Sequence, residues 1–459
     1  MKNNYWIIAL IVFIVFSCKD EVFTPTYQPI EDRTMAGGGT TYMEAHSNSF
    51  SNPAPNLTAS ELQEHLFGDA EFEASFVSAP ATINPGLGPI FNHTSCINCH
   101  PKDGRSKFPD HLDLPNGFFL RTSIPGVDAH GGPVPTPGFG LQIQNQAIIG
   151  YQPEAKIKVV FQYKTETLAD GTVVELRKPI FSLKNPYIPV PSNAMFSPRM
   201  PMPVFGLGLI EAIPESRILS LQDENDADGD GISGRANFVW NPITQKTELG
   251  RFGWKANTAT VLLQTAGAYV HDMGITNPVF PIETGFGQSN GSDGHYDDPE
   301  LGTQILNAVA QYCRTLAVPA ARNVFNANVN NGYKIFVNEL ECAKCHTPSH
   351  VTGNSDIAGL SNQKIWPFSD FLLHDMGADL ADHRPDFLAN GYEWRTRPLW
   401  GLGLTFKVNG HQNFLHDGRA RSIAEAILWH GGEAQKSKEK FKQLPTQKRN
   451  DLLAFLNSL

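Results

Sequence analysis

Four of the chain's six cysteines fall into two C-x-x-C-H arrangements, Cys96-Ile-Asn-Cys99-His100 and Cys342-Ala-Lys-Cys345-His346. In this spacing one helical turn presents two thiols and an imidazole together. The thiols can add across the vinyl groups of a haem while the histidine ligates its iron. Other chemistry fits the same residues less well. A four-thiolate zinc site would have to join the pairs across roughly 240 residues of chain, and it leaves the histidine after each pair unexplained. A thioredoxin-like redox pair needs a strand-to-helix context that neither motif has. A disulfide framework has no cysteines to build it, because Cys18 lies in an N-terminal apolar leader and Cys313 stands alone on an apolar helical pattern, as a buried, inert thiol would. The spacing therefore points to two covalently attached haems of c type, with His100 and His346 as iron ligands.

Other residues could add to this chemistry. Asp226-Ala-Asp228-Gly-Asp230-Gly231 places carboxylates at alternate positions before a glycine, as the first half of an EF-hand loop does, and such oxygens can converge on calcium. The twelfth position is Asn237 where a bidentate Glu belongs, so an acidic surface turn is the competing reading. Glu211, in a Gly-rich apolar run, is either a catalytic acid or a carboxylate that pairs with an arginine or caps backbone. His271 and His374 each precede Asp-Met-Gly, and single histidines in apolar segments are more often packed and hydrogen-bonded than bound to iron. His111, soon after the first motif, reads as a loop histidine.

The elements that must position these groups are legible in outline. At 459 residues the chain can bury two or three cores, and 73 glycines and prolines with 18% charged residues describe a loop-rich globular protein. Apolar spacing predicts helices from Thr58, over Val261 to Val270 and over Glu300 to Leu316. Strand-like alternation with an Asp170-Gly171 turn predicts a small β insertion at about 146–182. Val318-Pro319 marks a boundary. The expected fold is mainly α, with two cytochrome-c-like haem domains at 57–320 and 325–459; the first carries the β insertion and an acidic loop at 223–237. Residues 1–17 read as a lipoprotein signal peptide ending in Val15-Phe-Ser-Cys18, with Cys18 the lipidation site, and residues 18–56 as a flexible tether. Lys19-Asp20-Glu21 resembles the surface-export signal of lipoproteins from the Bacteroidetes group, so the expected location is the periplasmic face of the outer membrane or the cell surface, held by lipid alone. With 36 Lys and Arg against 46 Asp and Glu, a net charge of −10 disfavours nucleic acid as a partner.

Several stretches resemble bacterial di-haem cytochrome c peroxidases. Gly253-Trp254, Leu263-Gln264 and Asp272-Met273-Gly274 are similar to the peroxidase segment that carries an inter-haem Trp, a distal-pocket Gln and a catalytic Glu-Met pair. The Trp-to-Gln interval is the same ten residues; the acid comes two residues early and is Asp. Thr396-Arg-Pro-Leu399 and His416-Asp-Gly418 resemble the family's C-terminal segment, in which the second haem's other ligand follows fourteen residues later, here His430. Relatives carry Met there, or Tyr in the MauG type. Across nearly the whole mature chain the resemblance is to the di-haem oxidoreductases, often labelled peroxidase or thiol oxidoreductase, through Gly206-Leu-Gly-Leu-Ile-Glu211, Gly250-Arg-Phe-Gly-Trp254, Leu373-His-Asp-Met-Gly377 and Leu415-His-Asp-Gly-Arg419. It implies peroxide or another small substrate at the first haem, with Gln264 orienting it, Asp272 or Glu211 moving a proton, and Trp254 on the electron path from a second haem held by His346 and His430. A small cytochrome or cupredoxin would donate the electrons. The alternatives are a di-haem electron carrier and a MauG-like oxidase of a partner protein.

Overall fold

Thr58 starts the first helix because its hydroxyl accepts the Glu61 amide while the Glu61 carboxylate accepts the Thr58 amide at 2.8 Å, satisfying two donors that a helix start leaves bare. The helix runs Ala59–Glu73 and crosses Thr303–Thr315 at Gly68, where a Cβ would lie 2.1 Å from the Ala308 carbonyl oxygen. A second pair repeats the device. Ala327–Lys334 crosses Thr446–Ser458 at Gly332, with the Asp451 carbonyl oxygen 2.0 Å from where a Cβ would stand. Each C-x-x-C-H motif follows the first helix of such a pair, so backbone contact across the glycine fixes where the motif is presented.

The computed structural model describes residues 33–109, 117–284, 287–292, 294–295 and 297–459. The expected signal peptide, Cys18, the tether up to residue 32 and His111 lie outside the described residues. From Arg33 on, the stretch expected to be a tether is packed: Phe50 is fully buried against Phe205, Thr41 pairs with Val318 in a parallel bridge, and the Arg33 guanidinium lies 3.8 Å from the centre of the Tyr333 ring. Composition alone missed this because isolated apolar residues can be buried by partners far along the chain.

The expectation of a mainly α protein is overturned. Helices account for 29% of residues and strands for 19%, and among the described residues the strands are spread over seven small sheets, one of them with three strands. Helical periodicity is loud in sequence, whereas two- and three-residue strands inside Gly- and Pro-rich connections leave no periodic trace. The longest sheet is a hairpin of Lys156–Thr167 with Val173–Lys184, turning at Asp170-Gly171. Its base rests on a small core around Phe118 and Phe139, and its tip reaches the C-terminal helices, where Leu168 and Leu176 are buried and Asp170 pairs with Arg449.

Two larger cores hold the rest. The first combines Phe72, Tyr269 and Tyr312 with Ile365, Phe371 and Trp400 from beyond residue 320; the second gathers Phe336, Trp366, Trp429 and Phe455 and takes in Trp254. Apolar packing thus crosses the boundary expected near Val318-Pro319 in both directions. Among the described residues no helix is long and apolar enough to cross a membrane.

Candidate functional site

Cys96–Cys99 forms a single helical turn, and the His100 amide closes it on the Cys96 carbonyl at 3.0 Å. The His100 ring then turns so that Nδ1 is 2.7 Å from the Met202 carbonyl. A carbonyl can only accept, so Nδ1 carries the hydrogen and Nε2 keeps its lone pair, the tautomer required of an iron ligand. The second motif is built the same way. The turn at Cys342–Lys344 is closed by the His346 amide on Cys342 at 2.9 Å, and His346 Nδ1 lies 2.9 Å from the Phe368 carbonyl. His430, at the end of the Ile423–Trp429 helix, donates from Nδ1 to the Ala426 carbonyl at 2.7 Å. Burial keeps all three imidazoles neutral, pushing His100 and His346 down to about 4.

The two motifs open into separate cavities. Cys96, Cys99 and His100 line one of about 650 Å³, and Cys342, Cys345, His346 and His430 line one of about 250 Å³. This separation rules out a shared four-thiolate zinc site. Burial pushes the Cys96 and Cys342 thiols up to about 12, so both are uncharged. Cys313, pushed up by burial well above the usual thiol range, lines the first cavity.

Trp254 lines both cavities. Its Nε1 donates to the Met200 carbonyl at 2.8 Å, and its ring meets Trp394 and His416 edge-on at 6.4 and 6.3 Å. Trp394 and His416 are themselves stacked 3.8 Å apart. The result is a continuous wall of aromatic rings between the sites.

The same wall carries uncompensated positive charge. Arg105, Arg395 and Arg397 line the second cavity, the latter two the first as well, and none forms an ion pair among the described residues. Burial, together with Arg395 and Arg105, pulls Arg397 well below the usual guanidinium range, and Arg395 Nη1 has no hydrogen-bond partner. Buried unpaired cations are costly unless an anion meets them. The carboxylates of haem propionates are such anions, so thiol pairs, neutral imidazoles and guanidiniums together fit one haem in each cavity.

The first cavity has a polar side supplied by the Val261–Met273 helix, which carries Gln264, His271 and Asp272. Thr260 caps this helix by accepting the Leu263 amide, and Gly274, at φ 68°, ends it immediately beyond Met273. Asp272 accepts from Gln142 Nε2 at 2.8 Å, and burial raises its carboxyl above the usual range against the pull of Arg121. Glu211 is elsewhere. It is 2.7 Å from Arg314 Nε and accepts the Val261 amide at 2.7 Å, capping the same helix from outside, and it lines neither cavity. Of its two sequence readings, the geometry is that of the paired, capping carboxylate.

The acidic loop departs from expectation as well. Asp230 is bound to Lys344 at 2.6 Å, inside the second C-x-x-C-H, while the carboxylates that converge are Asp223, Asp226 and Asp228. The loop therefore docks on the second motif, and Ser233 extends the contact by donating to Glu433. Sequence reasoning missed Gln142, Arg121 and the neighbouring Trp394 and Arg395, which come from three different segments. It also took His271 for a packed, hydrogen-bonded residue, whereas its ring faces the first cavity.

A family model described as "Di-haem oxidoreductase, putative peroxidase" matches residues 30–459. Among curated proteins, the chain is similar to the methylamine utilization protein MauG of Methylorubrum extorquens, at 26% identity over 185 residues. That match covers 36% of this chain and 46% of the relative, so it spans less than half of the relative's length.

Proposed function

The chain belongs to the di-haem oxidoreductase family, and on that premise we propose that it is a c-type di-haem peroxidase, which reduces peroxide at the first cavity with electrons that enter through the second. A haem in each cavity supplies the one-electron chemistry. The observation that carries the reading is the asymmetry between the sites: in the second, two neutral imidazoles, His346 and His430, are each oriented through Nδ1 by a backbone carbonyl, whereas in the first His100 is oriented in this way, beside a polar helix face with Gln264, His271 and Asp272. If His346 and His430 both held the second iron they would leave no place for a substrate, whereas an iron held by His100 would keep one. Gln264 orients the peroxide by hydrogen bonding, Trp254, which lines both cavities, carries electrons between them, and the arginines hold propionates.

Covalent attachment through Cys96, Cys99, Cys342 and Cys345 requires export, which agrees with a signal peptide lipidated at Cys18 and with a periplasmic or surface location. The electron donor is a small cytochrome or cupredoxin. A second reading, oxidation of a partner protein, is favoured by the likeness to MauG. Electron paramagnetic resonance of the purified di-haem protein, oxidised and half-reduced, tests the proposal together with peroxide consumption. One low-spin and one high-spin or displaceable haem, with turnover, is expected. Two permanently six-coordinate haems and no turnover would leave an electron carrier.

A further inference from the structure

His271 lies seven residues after Gln264 on one helix, and seven residues return to within about 20° of the same face. Both side chains line the first cavity. The His271 backbone is pinned, because its carbonyl accepts from Gln142 Nε2 at 3.0 Å and from Gln144 Nε2 at 2.6 Å. Its ring is not. Apart from an aromatic contact with Phe280 at 6.0 Å, the imidazole has no hydrogen-bond partner among the described residues. Asp272, one residue on, is turned about 100° further round the helix and is already engaged by Gln142.

We propose that His271 is the proton-carrying residue of the first cavity, with Asp272 and Gln142 as positioning residues behind it. The inference rests on peroxide reduction at that site. A ring held by its backbone, free at its nitrogens and set beside the substrate-orienting Gln264 is what proton transfer between two oxygens of one small molecule requires. The imidazole takes the proton from one oxygen of H₂O₂ and delivers it to the other as the O–O bond breaks, so the second oxygen departs as water. The remaining oxygen receives two electrons from the one-electron donor protein and two solvent protons to form the second water. Burial and the Arg121 charge push the imidazole down to about 3, which keeps it neutral until peroxide arrives.

The test compares wild type, His271→Gln, His271→Ala and Asp272→Asn as full-length proteins, each verified to carry two haems by mass. Cyanide arrives at neutral pH as the neutral acid and binds as the anion, so its association reads proton acceptance without turnover; carbon monoxide, added to the reduced protein, needs no proton. Both His271 variants should bind cyanide 10- to 100-fold more slowly, keep the carbon monoxide rate within about threefold, and lose about 10²–10⁴-fold in single-turnover reaction with peroxide. Free imidazole should restore part of the cyanide rate in His271→Ala. Unchanged cyanide rates, a larger loss in Asp272→Asn than in His271→Gln, or a low-spin first haem turned high-spin by His271→Ala would each overturn the assignment. A wild type inert to peroxide would instead defeat the peroxidase reading, and the cyanide comparison would still judge His271.

Discussion

Lys255 and Asp382 form a fully buried ion pair directly behind the aromatic wall, and separating them should be among the most destabilising changes available to this protein. Lys255 Nζ is 2.7 Å from Asp382 Oδ1 and 2.8 Å from the carbonyls of Arg384 and Asn390, with both side chains at 0% exposure. It also lies 4.8 Å from the centre of the Trp394 ring. Asp382 also meets a second cation: it accepts from Ser197 Oγ at 2.5 Å and the Arg384 amide at 3.1 Å, and Arg199 stands 3.7 Å away. Burial would raise the Asp382 carboxyl, yet Lys255 and Arg199 hold it below the usual range, while burial pulls Lys255 down to about 8. Asp382→Ala therefore strands Lys255 and leaves Arg199 to Asp386, 3.7 Å away, and should cost about 3–5 kcal/mol. Lys255→Met leaves Asp382 with Arg199 and should cost less, about 2 kcal/mol. Because the double variant removes both buried charges, its cost should fall short of the sum by about 2 kcal/mol. Urea unfolding of the haem-loaded proteins, followed by far-UV circular dichroism, measures all four corners of the cycle. Additivity within about 0.5 kcal/mol would refute the view that the pair acts as a unit.

Replacing Cys342 and Cys345 by Ala should remove one of two haem additions in the mass spectrum, and persistence of both would reject attachment at that motif. His430→Met should raise the potential of the second haem and bring the near-infrared sulfur-to-iron band, because thioether ligation favours the reduced state; His430→Ala should turn that haem high-spin. An unchanged spectrum in both would remove His430 from the coordination sphere. Glu154, 1% exposed, is pushed by burial up to about 9 from its ordinary 4.5, so the folded state holds a proton that the unfolded state releases. Its contribution is fully present below about 4.5 and declines as pH rises towards about 9. Glu154→Gln should flatten that fall in urea midpoint, and an equal slope in the variant would contradict it.

The chemistry of attachment was legible in the chain itself, because C-x-x-C-H is local: one turn of backbone joins Cys96 to His100 and Cys342 to His346, and no distant residue is needed to see it. The helix Val261–Met273 was legible for the same reason, since a thirteen-residue period survives in one dimension. What covers those elements was not. Strands of two or three residues leave no pattern, so a fold of 29% helix and 19% strand read as mainly α. Carboxylates tell the same story one residue at a time. Glu211 and Asp272 look alike in sequence as acids in apolar runs, and only the tertiary structure brings Arg314 to the first and Gln142 to the second. Asp230 was grouped with its neighbours by spacing, but Lys344, more than a hundred residues away, claims it. The reason is physical: a covalent motif is specified by bonds along the chain, whereas the charge, tautomer and freedom of a buried side chain are set by whichever groups the fold packs against it, and that choice belongs to the three-dimensional arrangement alone.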